Sequence, residues 1–251
     1  MSLPFPPEIV ALALLAYLLA GTVKGTVGIG LPTASVALLS QAIEPKTAIA
    51  LVVVPSIAAN VWQVWRSGDA LGALRRYLPF ILCLCCVIGV VSALVTARLA
   101  PETLMAALGC VVILFSVSNL AWRPPALPDR FDRAAQVTLG TVSGVIGGLT
   151  SIWAPTMVAY LLARRVPKDE FVRATGVMIL LGNLPLGFGF AYSGMLTAET
   201  AVFSVLLILP ALAGFALGER LRRLLDADRF RTVVLLFFLL VGLNLLRRAL
   251  F

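Results

Sequence analysis

The chain has no histidine among its 251 residues. That removes the usual general base near neutral pH and the commonest zinc and haem ligand. Charge is scarce as well: 13% of residues are charged and 60% are hydrophobic, where a soluble domain carries roughly 25% charged residues. The four cysteines, Cys83, Cys85, Cys86 and Cys110, lie inside apolar runs and form no C-x-x-C pair. They read as small packing hydrophobes rather than redox or metal groups, and no cofactor is expected. No basic residue precedes the first apolar run in MSLPFPPE, so a cleaved signal peptide is not expected. What these absences leave is an all-α polytopic membrane protein whose solvent is the lipid bilayer. The net charge of +8 does not point to nucleic acid, because the basic residues flank the apolar runs as topology signals do.

Apolar runs cover approximately residues 8–24, 27–43, 47–65, 77–97, 101–121, 134–149, 152–163, 170–192, 198–218 and 230–247. Pro45 and Pro101 fall in first turns beside Glu44 and Glu102, and Pro167 precedes Asp169 and Glu170, acidic residues that suit the positive end of a helix. The one substantial polar gap, WRPPALPDRFDR at 122–133, is read as a cytoplasmic linker. It joins repeat one, 8–121, to repeat two, 134–249, within a single membrane domain.

The two halves carry matching motifs in the same order. Gly21-Thr-Val-Lys-Gly25 matches Gly140-Thr-Val-Ser-Gly144, Pro32 matches Pro155, and Pro45-Lys46 matches Pro167-Lys168. Asn60 then matches Asn183, and Asn119 matches Asn244. The offset drifts only from 119 (Gly21 to Gly140) to 125 (Asn119 to Asn244), which predicts a duplicated unit. Charge placement predicts its sense. If each glycine-interrupted pair of runs goes in and comes back, Arg66, Arg75, Arg76, Arg123, Arg130, Arg133, Arg164, Arg165 and Lys168 share one face. Arg220, Arg222, Arg223, Arg229 and Arg231 join them, leaving Lys46, Arg98, Arg247 and Arg248 opposite. Positive loops mark the cytoplasm. The expectation is therefore two inverted-topology repeats, each a glycine-broken helix pair, re-entrant or short, plus three spanning helices. Both termini then lie on the non-cytoplasmic side. The run 152–163 would extend only about 18 Å as a helix against a hydrocarbon core of roughly 30 Å, which favours a short returning arm.

A broken helix inside a membrane exposes unpaired backbone N–H groups at the start of the second arm, where the helix dipole is positive. Glycine lets a ligand approach that backbone closely, so the breaks are predicted anion sites. The first holds Gly25, Gly28 and Gly30, and the second Gly147 and Gly148. Lys24 would add a mobile positive charge; its alternative is a lysine that snorkels to the interface as a topology charge. No Asp or Glu lies mid-run to neutralise it, which makes an anionic ligand its expected partner. Ser143 stands at the matching motif position. Asn60 and Gln63 are three apart on one helix face, with Trp62 beside them. Asn183 precedes Pro185 in GNLPLGFGF, expected to be a third irregular stretch. Thr150, Ser151 and Trp153 open the second return arm. For the amides, helix–helix hydrogen bonding is the alternative. For Thr150 and Ser151 it is plain capping, and for the tryptophans an interfacial belt.

The paired stretches GTVKGTVGIGLPTASVALL with EPKTAIALVVVPSIAANVWQ, and GTVSGVIGGLTSIWAPTMVAYLL with VPKDEFVRATGVMILLGN, resemble the sulfite exporter TauE/SafE family, also described as the toluene-sulfonate uptake permease family. The resemblance spans nearly the whole chain. It implies a bacterial inner-membrane transporter, in the export direction, of small sulfur-containing anions such as sulfite, sulfoacetate or other sulfonates. Alternating access around an anion held by the two breaks and Lys24 is the expected mechanism. An anion channel on the same scaffold and a non-transporting assembly or sensor subunit are the alternatives. An intramembrane enzyme would need a nucleophile–base pair or metal ligands that the apolar runs do not supply.

Overall fold

Low charge and continuous apolar runs force the backbone to satisfy its own hydrogen bonds. The structure, a computed structural model, describes residues 5–121, 124–224 and 227–250, side chains at 222–231 excepted. Of the charges used to predict topology, Arg123 lies outside the described residues, as do the side chains of Arg222, Arg223, Arg229 and Arg231. The described residues are helical, with no strand. In the first half, α1 (Pro7–Val27) is followed by a short α2 (Leu31–Leu39), then α3 (Pro45–Leu51) and α4 (Val53–Ser67), α5 (Ala70–Arg76), α6 (Leu78–Leu94) and α7 (Pro101–Ala121). The second half holds α8 (Asp132–Thr150), a short α9 (Ala154–Ala163), α10 (Lys168–Tyr192), α11 (Ala198–Leu206), α12 (Ile208–Leu224) and α13 (Ala227–Leu250).

Prolines start many of these helices at the first two positions, where the missing N–H donor would have had no acceptor within the helix: Pro7, Pro32, Pro45 and Pro155 are examples. Among the described residues, seven stretches are long and apolar enough to cross a membrane. They are α1, α3 with α4, Leu78–Arg98, α7, α10, Ala198–Leu221 and Thr232–Leu250. The two short arms are not among them. Nine residues of α2 reach roughly 14 Å, and ten of α9 about 15 Å, half of a hydrocarbon core.

Large apolar side chains cover the outside of the bundle, Leu15, Val90, Leu209 and Leu240 among them, while polar side chains such as Asn60, Ser56 and Asn183 are fully buried. This is the distribution a lipid solvent selects. Helix pairs meet through glycine. Gly21 and Gly25 of α1 face Gly214 and Gly218 of α12, and a Cβ at any of the four would stand 2.0 to 2.2 Å from a backbone oxygen of the partner helix. Such contacts supply the dispersion energy that apolar lipid cannot drive. The pairs α6–α8, α7–α13 and α4–α10 also pack closely.

Two prolines inside spans are accommodated differently. Pro55 lacks the N–H that would bond the Leu51 carbonyl. The chain turns at Val52 between α3 and α4, and Ser204 Oγ donates to the Leu51 oxygen at 3.2 Å. At Pro185 the expected irregular stretch is absent: α10 runs unbroken from Lys168 to Tyr192. The carbonyl freed there, Leu181, accepts from the Cys85 thiol at 3.5 Å, so the helix continues without loss of a partner. The charged residues gather at two ends. Lys46 reaches the Ala97 carbonyl beside Arg98, and Arg248 the carbonyls of Ser40 and Gln41. Elsewhere Arg66 pairs with Glu219, Arg76 with Glu170, Arg173 with Asp69, and Arg164 with Asp129 and Asp132.

Candidate anion site at the paired helix breaks

Each half interrupts its first helix once, by the same local device. Helix α1 ends where Gly28 takes φ +89° and its N–H bonds the Lys24 carbonyl at 2.7 Å. Helix α8 ends where Ser151 takes φ +59° and its N–H bonds the Gly147 carbonyl at 2.7 Å. Both are left-handed C-caps of the single-bond type. Three residues carry each reversal, 28–30 in the first half and 151–153 in the second. The first break therefore lies C-terminal to the lysine: Lys24 sits inside α1, and the helix continues through Gly25 to Val27. The caps also give Lys24 its counterpart. Four residues before Gly28 is Lys24; four before Ser151 is Gly147. Ser143 stands one helical turn further from its break, so the shared motif does not put it in Lys24's position.

Lys24 is 1% exposed. Its ammonium does not snorkel out of the fold; it donates to Asn60 Oδ1 at 2.7 Å. Asn60 is held in turn by its own amide, which donates to the Ser56 carbonyl at 2.7 Å. Ser56 Oγ accepts at 3.1 Å from Asn183, the asparagine matched to Asn60 across the halves. A polar ladder thus runs from Lys24 through Asn60 and Ser56 to Asn183. No carboxylate among the described residues pairs with Lys24. An ammonium has three donors, and the bond to Asn60 uses one. Lys24 lines a cavity of about 210 Å³ with Gly25, Gly28, Trp62, Gln63 and, at its rim, the half-exposed pair Arg66–Glu219. Asn60 is the sixteenth of the 23 residues in the span Pro45–Ser67, so the ammonium lies beyond mid-span, towards the Arg66 end.

The second cavity lies between the breaks themselves. Gly30, Pro32 and Thr33 of the first face Ser151, Ile152 and Trp153 of the second, with Ile179 of α10 alongside. Ile179 is the twelfth of the 25 residues of α10, which puts this cavity near mid-span. Its volume is about 10 Å³, room for roughly one water. Thr33 is fully buried and Trp153 is 2% exposed, yet neither Thr33 Oγ1 nor Trp153 Nε1 has a hydrogen-bond partner. Buried polar atoms without partners are uncommon and costly. The first turns of α2 and α9 begin at the same place, and neither has a side-chain cap. Their leading N–H groups have no acceptor within the helix. One small chamber therefore collects two orphaned side-chain donors and the positive ends of two helices, an arrangement with capacity for an anion.

The candidate residues sort accordingly. Lys24, Gly25, Gly28 and Gln63 share the larger cavity; Gly30, Ser151 and Trp153 share the smaller. Asn60 and Asn183 belong to the ladder behind Lys24. Gly147 and Gly148 are contact glycines. A Cβ at Gly147 would meet the Trp153 ring at 2.7 Å, and one at Gly148 would meet Val91 at 2.6 Å. Thr150 caps locally, accepting from the Ile152 N–H at 3.2 Å. Ser151 Oγ donates to the Ile49 carbonyl at 3.1 Å. Ser143 is buried against Thr156 Oγ1 and lines neither cavity. The sequence reading missed Thr33, Ser56 and Glu219. Thr33 had a signal: Pro32-Thr33 and Pro155-Thr156 repeat at the same distance past each break. Among the described residues no group of His, Cys, Asp or Glu could hold a metal ion.

The family model described as Sulfite exporter TauE/SafE matches residues 13–245. No curated protein and no solved structure matches.

Proposed function

This chain belongs to the sulfite exporter TauE/SafE family and is a membrane transporter, and we propose that it exports small sulfur-containing anions such as sulfite, sulfoacetate or other sulfonates. The observation that carries the reading is the mid-span chamber, where Thr33 Oγ1 and Trp153 Nε1 are buried without partners between two uncapped helix starts. A sulfite or sulfonate group offers several strong acceptor oxygens in a compact tetrahedral or pyramidal head. Hydrogen bonds to a charged acceptor contribute about 1.5–3 kcal/mol each, more than neutral ones.

In this proposal the anion enters the larger cavity, meets the two free N–H donors of Lys24, and passes the turn at 28–30 into the chamber. With a volume of about 10 Å³, that chamber admits no sulfonate as it stands, so passage requires the two breaks to move apart. Alternating access supplies that motion when one half rocks against the other. The matched caps, the short arms and the ladder joining Asn60 to Asn183 support the duplicated, inverted arrangement. The clustering of arginines at the Arg66 end supports a cytoplasmic opening for the larger cavity and outward-facing termini. An interior-negative potential favours outward movement of an anion by about 2.3 kcal/mol per charge per 100 mV, so export of this substrate class requires no coupling ion.

The test is a thermal-shift panel on purified protein with sulfite, sulfoacetate, taurine, sulfate, acetate and chloride, repeated on Lys24→Ala. Stabilisation by a sulfur anion that is lost in the variant is the expected result. A variant that responds like the wild type removes Lys24 from the site. Saturable counterflow in proteoliposomes is expected of a transporter; unsaturable conductance would indicate a channel instead.

A further inference from the structure

Gln63 occupies an unusual position in the Lys24 cavity. It is 5% exposed, and its amide nitrogen donates to the Val172 carbonyl at 2.8 Å and lies 3.4 Å from Thr175 Oγ1. Thr175 Oγ1 itself donates to the Val172 carbonyl at 3.0 Å, so it turns a lone pair toward the amide. These contacts fix the orientation of the group. A flipped amide would set its oxygen against the Val172 oxygen, lone pair to lone pair. Gly176 makes the seat, since a Cβ there would stand 3.2 Å from the Gln63 nitrogen. The consequence is that Gln63 Oε1 is held inward, buried and without a partner. It lies one turn along α4 from Asn60, whose own Oδ1 is engaged by Lys24.

A site for a bare anion has no use for an inward-facing acceptor, because an anionic oxygen beside Oε1 is repelled. From this we infer that the Lys24 cavity selects anions that carry their own hydrogen-bond donor. The acidic head meets the Lys24 ammonium, and a hydroxyl, ammonium or acid proton elsewhere on the same compact molecule donates to Gln63 Oε1. Lys24 and Gln63 line one cavity of about 210 Å³, so the two recognised groups sit on one compact molecule, as in a 2-hydroxy- or 2-aminoalkyl sulfonate. Gln63 is then a specificity-determining residue, and it has no counterpart in the second half, where the matching position, by the 123-residue offset of Asn60 to Asn183, holds the buried Leu186. The inference rests on the anion-transporter reading above and names the substrate class within it.

The experiment compares 2-hydroxyethanesulfonate with ethanesulfonate, equal in charge and differing in one hydroxyl, by calorimetric binding to the full chain in lipid nanodiscs. The hydroxylated ligand is expected to bind about tenfold more tightly, the scale of one net hydrogen bond. Gln63→Met, which keeps length and removes the acceptor, is expected to bring the two affinities within twofold by weakening 2-hydroxyethanesulfonate binding, and the melting temperature of the variant reports whether it is folded. Equal affinities in the wild type, or a preference that survives in Gln63→Met, would overturn the inference and leave the anion site standing. Absence of binding by both ligands to the wild type would overturn the inference together with the anion-site reading beneath it, a different outcome that the two measurements separate.

Discussion

The two helix breaks build the same reversal from opposite materials. In the first, the helix position four residues before the cap carries a long cation, Lys24, and the residue closing the turn is Gly30. In the second, the helix position is Gly147 and the residue closing the turn is Trp153. The bulk has changed places, and the Trp153 ring lies directly over Gly147, filling space beside a helix that has no side chain of its own there. The backbone therefore sets only the shape of the two bends. The side chains divide the labour: the first break contributes charge to the larger cavity, and the second contributes a neutral N–H to the small chamber.

The comparison can be broken at its strongest point by Lys24→Met. Removing the ammonium takes away the only cation in the polar ladder and leaves Asn60 Oδ1 without its donor. Transport of sulfite in proteoliposomes is expected to fall about 100-fold, the equivalent of one charge-assisted contact. Retained transport would make the two breaks functionally equivalent. Next in size is a packing effect. Gly147→Ala is expected to lower stability by about 2 kcal/mol, because the new methyl group meets a ring and the Ile88 side chain at less than 3.0 Å. Gly28→Ala, with nothing within 4 Å, is expected to cost only the left-handed backbone term of about 1 kcal/mol. Denaturation of the two variants in the same detergent measures the difference. Smaller in stability terms is Trp153→Phe, which keeps most of the ring and removes Nε1–H. Anion affinity is expected to drop about tenfold with the melting temperature nearly unchanged. Smallest of all is Ser143→Ala: because Ser143 stands a turn away and bonds Thr156, sulfite affinity should stay within about twofold of the wild type.

Much of this architecture was legible in the residues. Low charge and long apolar runs announced a membrane protein, and Gly28 and Gly30 announced the first break, whereas the second falls at residues 151–153, past Gly147 and Gly148. Lys24 stood out because a lone cation between apolar runs demands a partner. Two readings failed for identifiable reasons. The match of Gly21-Thr-Val-Lys-Gly25 to Gly140-Thr-Val-Ser-Gly144 aligned letters that sit one helical turn apart relative to the caps, so Ser143 was paired with Lys24 when Gly147 holds that place. Small residues at four-residue spacing repeat along both helices, and only the cap, a three-dimensional feature, fixes the register. The irregularity expected at Pro185 was absent because a thiol from another helix, Cys85, supplies the missing hydrogen bond. A sequence does not announce such a compensation 100 residues away in the chain. Gly147 and Gly148, read as ligand contacts, lie against Trp153 and Val91, a use that has the same spacing in the sequence. Trp153 was named from its place at the return arm, but that its Nε1 and Thr33 Oγ1 are buried without partners showed only in the fold.

The central claim is that the transported anion binds between the breaks, at Trp153 Nε1 and Thr33 Oγ1. The chain has four tryptophans, so its indole N–H signals can be followed individually by NMR with nitrogen-15-labelled tryptophan, Trp153→Phe giving the assignment. Titration with sulfite is predicted to move the Trp153 indole resonance saturably, at the concentrations that saturate transport. Saturable sulfite transport with the Trp153 resonance unmoved would contradict the account.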